Sequence, residues 1–349
     1  MNLEFRHIAH TYDTTPALAD VSLTAAGGEI TCLLGASGCG KSTLLSLAAG
    51  LLDLQAGEIW LGDERLAAPG DCPAPEARPI GLVFQDGALF PHMTLAQNIA
   101  FGLPRAARDP ATIERWLVRV GLAGLGRRYP HQLSGGQQQR AALARAMAPE
   151  PAVLLMDEPF ASVDIVLRRA LRRECRLLLR ERAATTLLVT HDPDEALDIA
   201  DRIAVMEGGR IVQVGTPAEL YDAPAAPSVG AIFGGAQIVA AEIKGGAYRT
   251  PFGFWPARAG VQPVGAEGAA VDLLVHARCL RLEPDRDGLT VHDRHELGDR
   301  VRVLLRHHTG LELTAELGLE AAETIHPEQR YRALPDDGSV RVFGRDEGH

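Results

Sequence analysis

The stretch "LLGASGCGKSTLL", residues 33–45, constrains this chain more than any other. An apolar run breaks at Gly35, passes Ser37, Gly38, Cys39 and Gly40 to Lys41, Ser42 and Thr43, and turns apolar again. Glycines allow a tight loop whose N–H groups converge, and a following helix adds the positive end of its dipole. The result is a socket for phosphate, and G-x-x-x-x-G-K-[ST] between a strand and a helix is its signature. Lys41 then places its charge on the β- and γ-phosphates, and Ser42 offers a hydroxyl to Mg²⁺. The bland alternative is a chance glycine-rich turn, against which the strand–loop–helix context weighs.

Two later runs share a grammar. "PAVLLMDEP" (151–159) is continuously apolar until Asp157 and Glu158, and "TTLLVTHD" (185–192) ends on His191 and Asp192. Such runs read as strands buried on both faces, as in a parallel sheet. An acid closing a buried strand needs a partner, and Mg²⁺ is the natural one for Asp157. Glu158 then polarises an attacking water.

Further strands are expected at 3–8, 29–34, 57–66 and 77–86. Helical spacing of Ile113, Trp116, Leu117 and Val120 predicts a helix over 110–121, and another runs from about Gly136 to Ala148, stopped by Pro149. Alternating strands and helices predict an α/β core with a mostly parallel sheet. Beyond "DAPAAPS" and the glycine hinge "FGGAQ", short alternating stretches separated by turn signals such as "PDRDG" predict a small β-rich domain. The division falls between 1–233 and 234–349.

At 349 residues the chain suits two domains. No apolar run reaches the roughly 18 residues of a membrane span, and "MNLEFRHIAHTYD" lacks a signal-peptide core, so a cytoplasmic location is expected. A net charge of −10 argues against bulk binding to nucleic acid. The five cysteines are scattered without a C-x-x-C pair, which suits a reducing compartment.

"LSGGQQQR" (133–140) narrows the class. Here the sequence resembles the ATP-binding cassette (ABC) ATPases, and the resemblance covers residues 3–222. It implies an α/β P-loop cassette, with a mostly parallel sheet and a helical signature subdomain, that binds ATP and Mg²⁺. It implies that Ser134, Gly135, Gly136 and Gln138 cover the ATP of a second copy in a homodimer, with Asp164 of "FASVD" at the same interface. Val163 stands where the family more often has Leu. It further implies that Tyr12 stacks on adenine, that Gln85 touches Mg²⁺ and senses a transmembrane partner, and that His191 is the switch histidine near the γ-phosphate. The metal set is then Ser42, Gln85 and Asp157, and the catalytic set Glu158, His191 and Lys41.

The tail is similar to the oligomer-binding-type (TOBE-like) regulatory domain of importer ATPases, and with "FQDGALFPHMTLAQNIAFGL" it resembles the ferric iron importers best. The resemblance implies a subunit peripheral to the cytoplasmic face of the inner membrane. Its partners would be an integral-membrane permease and, indirectly, an extracytoplasmic solute-binding protein. Segment 87–103 would help receive the permease. Polyamine, sulfate or thiamine import is the alternative within that class; a soluble ABC ATPase acting on nucleic acid or ribosomes is the rival outside it.

Four features invite other readings. His276, His292, His295, His307, His308 and His326 lack a ligand pattern for metal sensing. "DRDG" (285–288) lacks the later acid of a calcium loop and reads as a tight turn. The arginines of 168–182 are expected on a solvated helix face, opposite Leu171, Cys175, Leu178 and Leu179. Cys39, beside Lys41 and a helix N-terminus, is expected to have a lowered pKa and to lose ATP hydrolysis on alkylation.

Overall fold

The computed structural model describes residues 1–85, 88–161, 163–233, 235–257 and 265–345. Asp86 and Gly87, at the ends of an expected strand and apolar segment, Ser162 of "FASVD" and Gly234 of the expected hinge lie outside them. Two compact units divide the chain at 222/223.

The first unit runs β1 (Leu3–Tyr12), β2 (Thr15–Ala25), β3 (Ile30–Leu34), α1 (Lys41–Ala49), β4 (Ala56–Leu61), β5 (Glu64–Ala67) and β6 (Ile80–Val83). It continues with α2 (Leu95–Gly102), α3 (Pro110–Arg119), α4 (Gly135–Met147), β7 (Val153–Asp157), α5 (Ile165–Arg182) and β8 (Thr185–Thr190). Then come α6 (Pro193–Ile199), β9 (Arg202–Glu207), β10 (Arg210–Gly215) and α7 (Pro217–Asp222). A six-stranded sheet has the order β10-β9-β3-β8-β7-β6, with β9, β3, β8, β7 and β6 parallel and β10 antiparallel at the edge. A four-stranded antiparallel sheet, β2-β1-β4-β5, shares a core with it through Phe5, Ile8, Val21, Leu33, Leu44, Leu155 and Leu187. All residues of β3 and β8 are buried, as two-faced burial requires. That core is the mostly parallel α/β sheet the sequence predicts.

Some elements differ from expectation. The strand expected over 57–66 is a hairpin, β4 and β5, folded at Gly62 in a positive-φ conformation (φ 59°). β1 extends to Tyr12 and pairs with an unforeseen β2, in which Val21, Leu23 and Ala25 are buried at alternate positions. The strand over 77–86 is trimmed to β6, because a 3₁₀ turn at Pro75–Ala77 precedes it.

The second unit contains α8 (Pro227–Ile232), β11 (Ala236–Lys244), β12 (Ala247–Thr250), β13 (Gly253–Pro256), β14 (Ala270–His276) and β15 (Leu280–Glu296). It closes with β16 (Arg300–Arg306), β17 (Glu312–Gly318), α9 (Leu319–Glu323), β18 (Arg330–Pro335) and β19 (Arg341–Gly344). Two sheets, β13-β12-β11-β14-β19 and β17-β16-β15-β18, share one core containing Trp255, Leu273, Val303 and Tyr331, a β-rich, OB-like unit. Trp255 is fully buried and its Nε1 donates to the Ala333 carbonyl at 2.9 Å. Residues 285–288 are not a turn between strands. They interrupt β15 as a bulge between Pro284 and Leu289, where Gly288 presses so close to Tyr331 that a Cβ would lie 2.5 Å from its carbonyl oxygen. Among the described residues no group of three His, Cys, Asp or Glu side chains comes together to hold a metal, and no helix is long and apolar enough to cross a membrane.

Candidate nucleotide site

Parallel strands bring their C-terminal ends to one sheet edge, where open α/β sheets place their ligands. The ends of β3, β8 and β7 deliver Gly35, His191 and Asp157 to that edge, with Asp157 paired to Val189.

The phosphate loop is glycine-rich for two separate reasons. At Gly35 a Cβ would lie 2.2 Å from the Met206 carbonyl oxygen, and at Gly40 it would lie 2.4 Å from that of Ala17. Gly38 has open space around it but φ +83°, and Gly40 has φ +103°. Gly40 caps α1 without a side-chain acceptor, and no acid stands in the first turn. By contrast, Thr94, Asp109, Ser134 and Asp192 cap α2, α3, α4 and α6 with their own oxygens. The donors at the start of α1 are thus left for an anion, which fits phosphate.

Lys41 is 5% exposed, and its Nζ donates to the carbonyls of Gly35 and Ala36, both at 2.8 Å. The ammonium is held inside its own loop, 3.7 Å from Cys39 Sγ. Ser42 Oγ donates to Asp157 Oδ1 at 3.2 Å. Burial pushes the Asp157 carboxyl above its ordinary range; the Ser42 hydrogen bond opposes this, Glu158 adds to it, and Lys41 opposes it. A hydroxyl and a carboxylate, hard oxygens on the same sheet edge, form a donor set that fits Mg²⁺.

Glu158 takes a left-handed backbone (φ +43°), and its N–H donates to the Val189 carbonyl at 2.9 Å. That strained turn aims the side chain across to β8, where Oε1 lies 2.8 Å from His191 Nδ1. Glu158 is largely enclosed, whereas His191 is half exposed and faces outward.

Tyr12 closes β1 with 47% exposure, so it is not a core tyrosine. Its Oη lies 3.4 Å from Thr43 Oγ1, and its ring meets His10 edge-on at 4.7 Å. Gln85 is exposed two residues after β6, which neighbours β7. Ser37 is exposed on the loop and Ser42 opens the exposed side of α1.

The signature residues sit elsewhere. Ser134 caps α4 in a reciprocal box with Gln137, accepting from its N–H at 3.4 Å. Gly135 and Gly136 form the first turn, where a Cβ on Gly136 would meet open space. Gln138 Nε2 donates to the carbonyls of Pro130 (3.0 Å) and Leu133 (3.2 Å), fixing the preceding turn. Asp164 is exposed before α5, and its carbonyl accepts from the Arg168 N–H. Among the described residues no hydrogen bond joins 134–138 to 35–43.

Cys39 is 7% exposed, beneath the loop. One expectation needs correcting: the arginines of α5 are not one solvated face. Arg169 and Arg173 are exposed, but Arg172 is 3% exposed, and Arg176 and Arg180 both bond Asp201. Arg176 also donates to the carbonyls of Asp198 (3.3 Å) and Ala200 (3.2 Å), which the C-terminus of α6 would otherwise leave open. Residues 168, 172, 176 and 180 recur every fourth position, and that spacing was the missed signal.

In segment 87–103 different side chains do different work. Leu95, Asn98 and Ile99 are buried, and Asn98 donates to the carbonyls of Phe90, Met93 and Thr94. Phe101 is 53% exposed and stacks at a tilt on Phe90, 4.5 Å away.

The model of the ABC transporter family matches residues 18–161. The Fe(3+) ions import ATP-binding protein FbpC 1 of Rhodococcus jostii (strain RHA1) is 42% identical over 349 residues, covering 98% of this chain and 97% of the relative. The sulfate/thiosulfate import ATP-binding protein CysA of Thermosynechococcus vestitus is 40% identical, covering 98% of each. Among solved structures, the dimeric post-hydrolysis state of the ATP-binding cassette MJ0796 bound to ADP and Pi superposes with a TM-score of 0.53 at 28% identity, over 61% of this chain and 98% of that one. This chain belongs to the ABC transporter family, as an ATP-binding subunit of the importer type.

Proposed function

We propose that this chain hydrolyses ATP at the edge formed by β3, β7 and β8, and that Glu158 is the base. The observation that carries the reading is the 2.8 Å Glu158–His191 contact beside the Ser42–Asp157 pair. The N–H groups of the loop and Lys41 bind the β- and γ-phosphates, and Tyr12 stacks on adenine. Ser42, Asp157 and Gln85 would hold Mg²⁺, which would neutralise phosphate charge. Glu158 takes the proton of the attacking water, and His191 orients the γ-phosphate and that water.

In a homodimer, Ser134, Gly135, Gly136, Gln138 and Asp164 of one copy close over the ATP of the other. The dimeric cassette structures of MJ0796 support a dimer of cassettes. Residues 1–233 act as the cassette and 234–349 as the regulatory domain. The subunit lies at the cytoplasmic face of the inner membrane on a permease that receives Phe101 and its neighbours, served by an extracytoplasmic solute-binding protein.

The cargo we propose is ferric ion, supported by the 42% match to an Fe(3+) import protein; the 40% match to a sulfate/thiosulfate import protein supports the second reading. Uptake of ⁵⁵Fe(III) and of ³⁵S-sulfate, compared between cells carrying the wild-type gene and cells carrying only Lys41→Ala, tests both. Selective loss of iron uptake is expected. Selective loss of sulfate uptake reassigns the cargo, and recovery of the protein solely with ribosomes or DNA overturns import.

A further inference from the structure

Two arginines of α5 reach both loops on which the proposed site depends. Arg168 Nη2 donates to the Val163 carbonyl at 3.1 Å, and its Nη1 stands 3.8 Å from Asp192 Oδ2. Arg172, one helical turn on, bonds the same Asp192 carboxylate, and lies 3.3 Å from Asp198 Oδ2 and 3.8 Å from Glu195 Oε2. Glu195 accepts from Thr190 Oγ1 at 3.1 Å, and that oxygen accepts the Asp192 N–H at 3.0 Å. Thr190 and Asp192 are the residues on either side of His191. Val163 precedes Asp164. One helix face therefore holds the Asp192 side chain next to the switch histidine and the backbone of the loop that carries the interface aspartate.

Stability alone does not account for this cluster. Burying a guanidinium requires compensation, which the carboxylates of Asp192 and Asp198 give. Yet Nε of Arg168, Nε of Arg172 and Oε1 of Glu195 are buried without a hydrogen-bond partner among the described residues. Apolar side chains often fill such space at equal or better stability, whereas a charge cluster fixes geometry.

We propose that Arg168 and Arg172 are positioning residues that hold His191 against Glu158 and tie that pair to the 163–164 loop, so that a displacement of Asp164 is felt at His191. The inference rests on the reading of Glu158 and His191 as the hydrolytic pair.

The test is a double-mutant cycle on the full chain with ATP and Mg²⁺, read as single turnovers at enzyme excess so that slow rates stay measurable. Arg172→Met is expected to lower the saturated rate at least tenfold while ATP affinity stays within threefold. Arg172→Lys is expected to restore part of the loss. In a His191→Ala background, Arg172→Met is expected to cost less than a further threefold. A full tenfold loss in that background overturns the positioning role and leaves the site reading intact. A wild-type rate in His191→Ala alone overturns the site reading and the positioning role together. If Arg172→Met fails to fold by circular dichroism, Arg168→Met, a partly exposed position, carries the same cycle with the same outcomes.

Discussion

His191 Nδ1 lies 2.8 Å from Glu158 Oε1, although 33 positions separate the two residues along the chain. The contact follows from topology: β7 and β8 are parallel neighbours, so their ends meet at one edge. The left-handed turn at Glu158 then brings the carboxylate across to the histidine, at a cost of about 1–3 kcal/mol that the Glu158 N–H to Val189 carbonyl hydrogen bond helps to offset.

His191→Ala is expected to reduce ATP hydrolysis about 100-fold, the scale of rate loss when a reacting group is displaced by about 1 Å. ATP affinity should stay within threefold, because the loop and Lys41 are untouched. Steady-state hydrolysis together with binding of a fluorescent ATP analogue checks both. An equal loss in binding contradicts the assignment.

Gly40→Ala should abolish nucleotide binding. The new Cβ would fall 2.4 Å from the Ala17 carbonyl oxygen at φ +103°, so the loop must shift. Gly38→Ala meets open space and suffers only the conformational penalty, about 1 kcal/mol. Isothermal titration with ATP should therefore rank the variants wild type, Gly38→Ala, Gly40→Ala.

Burial pushes the Glu195 carboxyl up to about 7, against the opposing pull of Arg172 and the Thr190 hydrogen bond. Asp192 adds to the rise, Arg168 opposes it, and Cys32 of β3 and Cys175 of α5 feel its charge. Between about 4.5 and 7 the folded chain keeps a proton that the unfolded chain has released. Its contribution to stability is therefore greatest below this window and lost as pH rises through it. Glu195→Gln removes the slope. Relative to that variant, the wild type should lose about 3 kcal/mol between pH 4.5 and 8 in urea unfolding. A difference that does not change with pH contradicts the cause.

Iodoacetamide should label Cys72 and Cys279, both partly exposed, before Cys39 and Cys175, which are buried. Burial, reinforced by Glu195, holds the Cys175 thiol up at about 12, so its thiolate is scarce at neutral pH. When Cys39 is finally labelled, hydrolysis should stop, and ATP should delay the labelling. Peptide mass mapping against residual activity checks the order; Cys39 labelled first contradicts it.

Much of the site was legible because its chemistry sits in contiguous motifs. Gly35 to Thr43 announce a phosphate loop, and the apolar runs ending in Asp157 and His191 announce buried parallel strands. What the sequence hid was long-range. β2 escaped notice because Pro16 and the consecutive Ala17, Leu18 and Ala19 mask the alternation of Val21, Leu23 and Ala25, and its pairing with β1 supplies the rest of its burial. "PDRDG" reads locally as a turn, yet pairing of Leu280–Pro284 and of Leu289–Thr290 with one partner strand makes it a bulge. The arginines of α5 looked solvated, since their carboxylate partners Asp192, Glu195, Asp198 and Asp201 lie 20 or more positions away. The self-capped start of α4 and the open start of α1 look alike in sequence, and the hydrogen bonds tell them apart.

The most direct test of the proposed mechanism is ATP hydrolysis by Glu158→Gln, measured beside ATP binding and oligomeric state on the same preparation. The account predicts a rate lowered at least 100-fold, ATP affinity retained, and an ATP-dependent dimer that persists through gel filtration. Hydrolysis at the wild-type rate would contradict the assignment of Glu158 as the base.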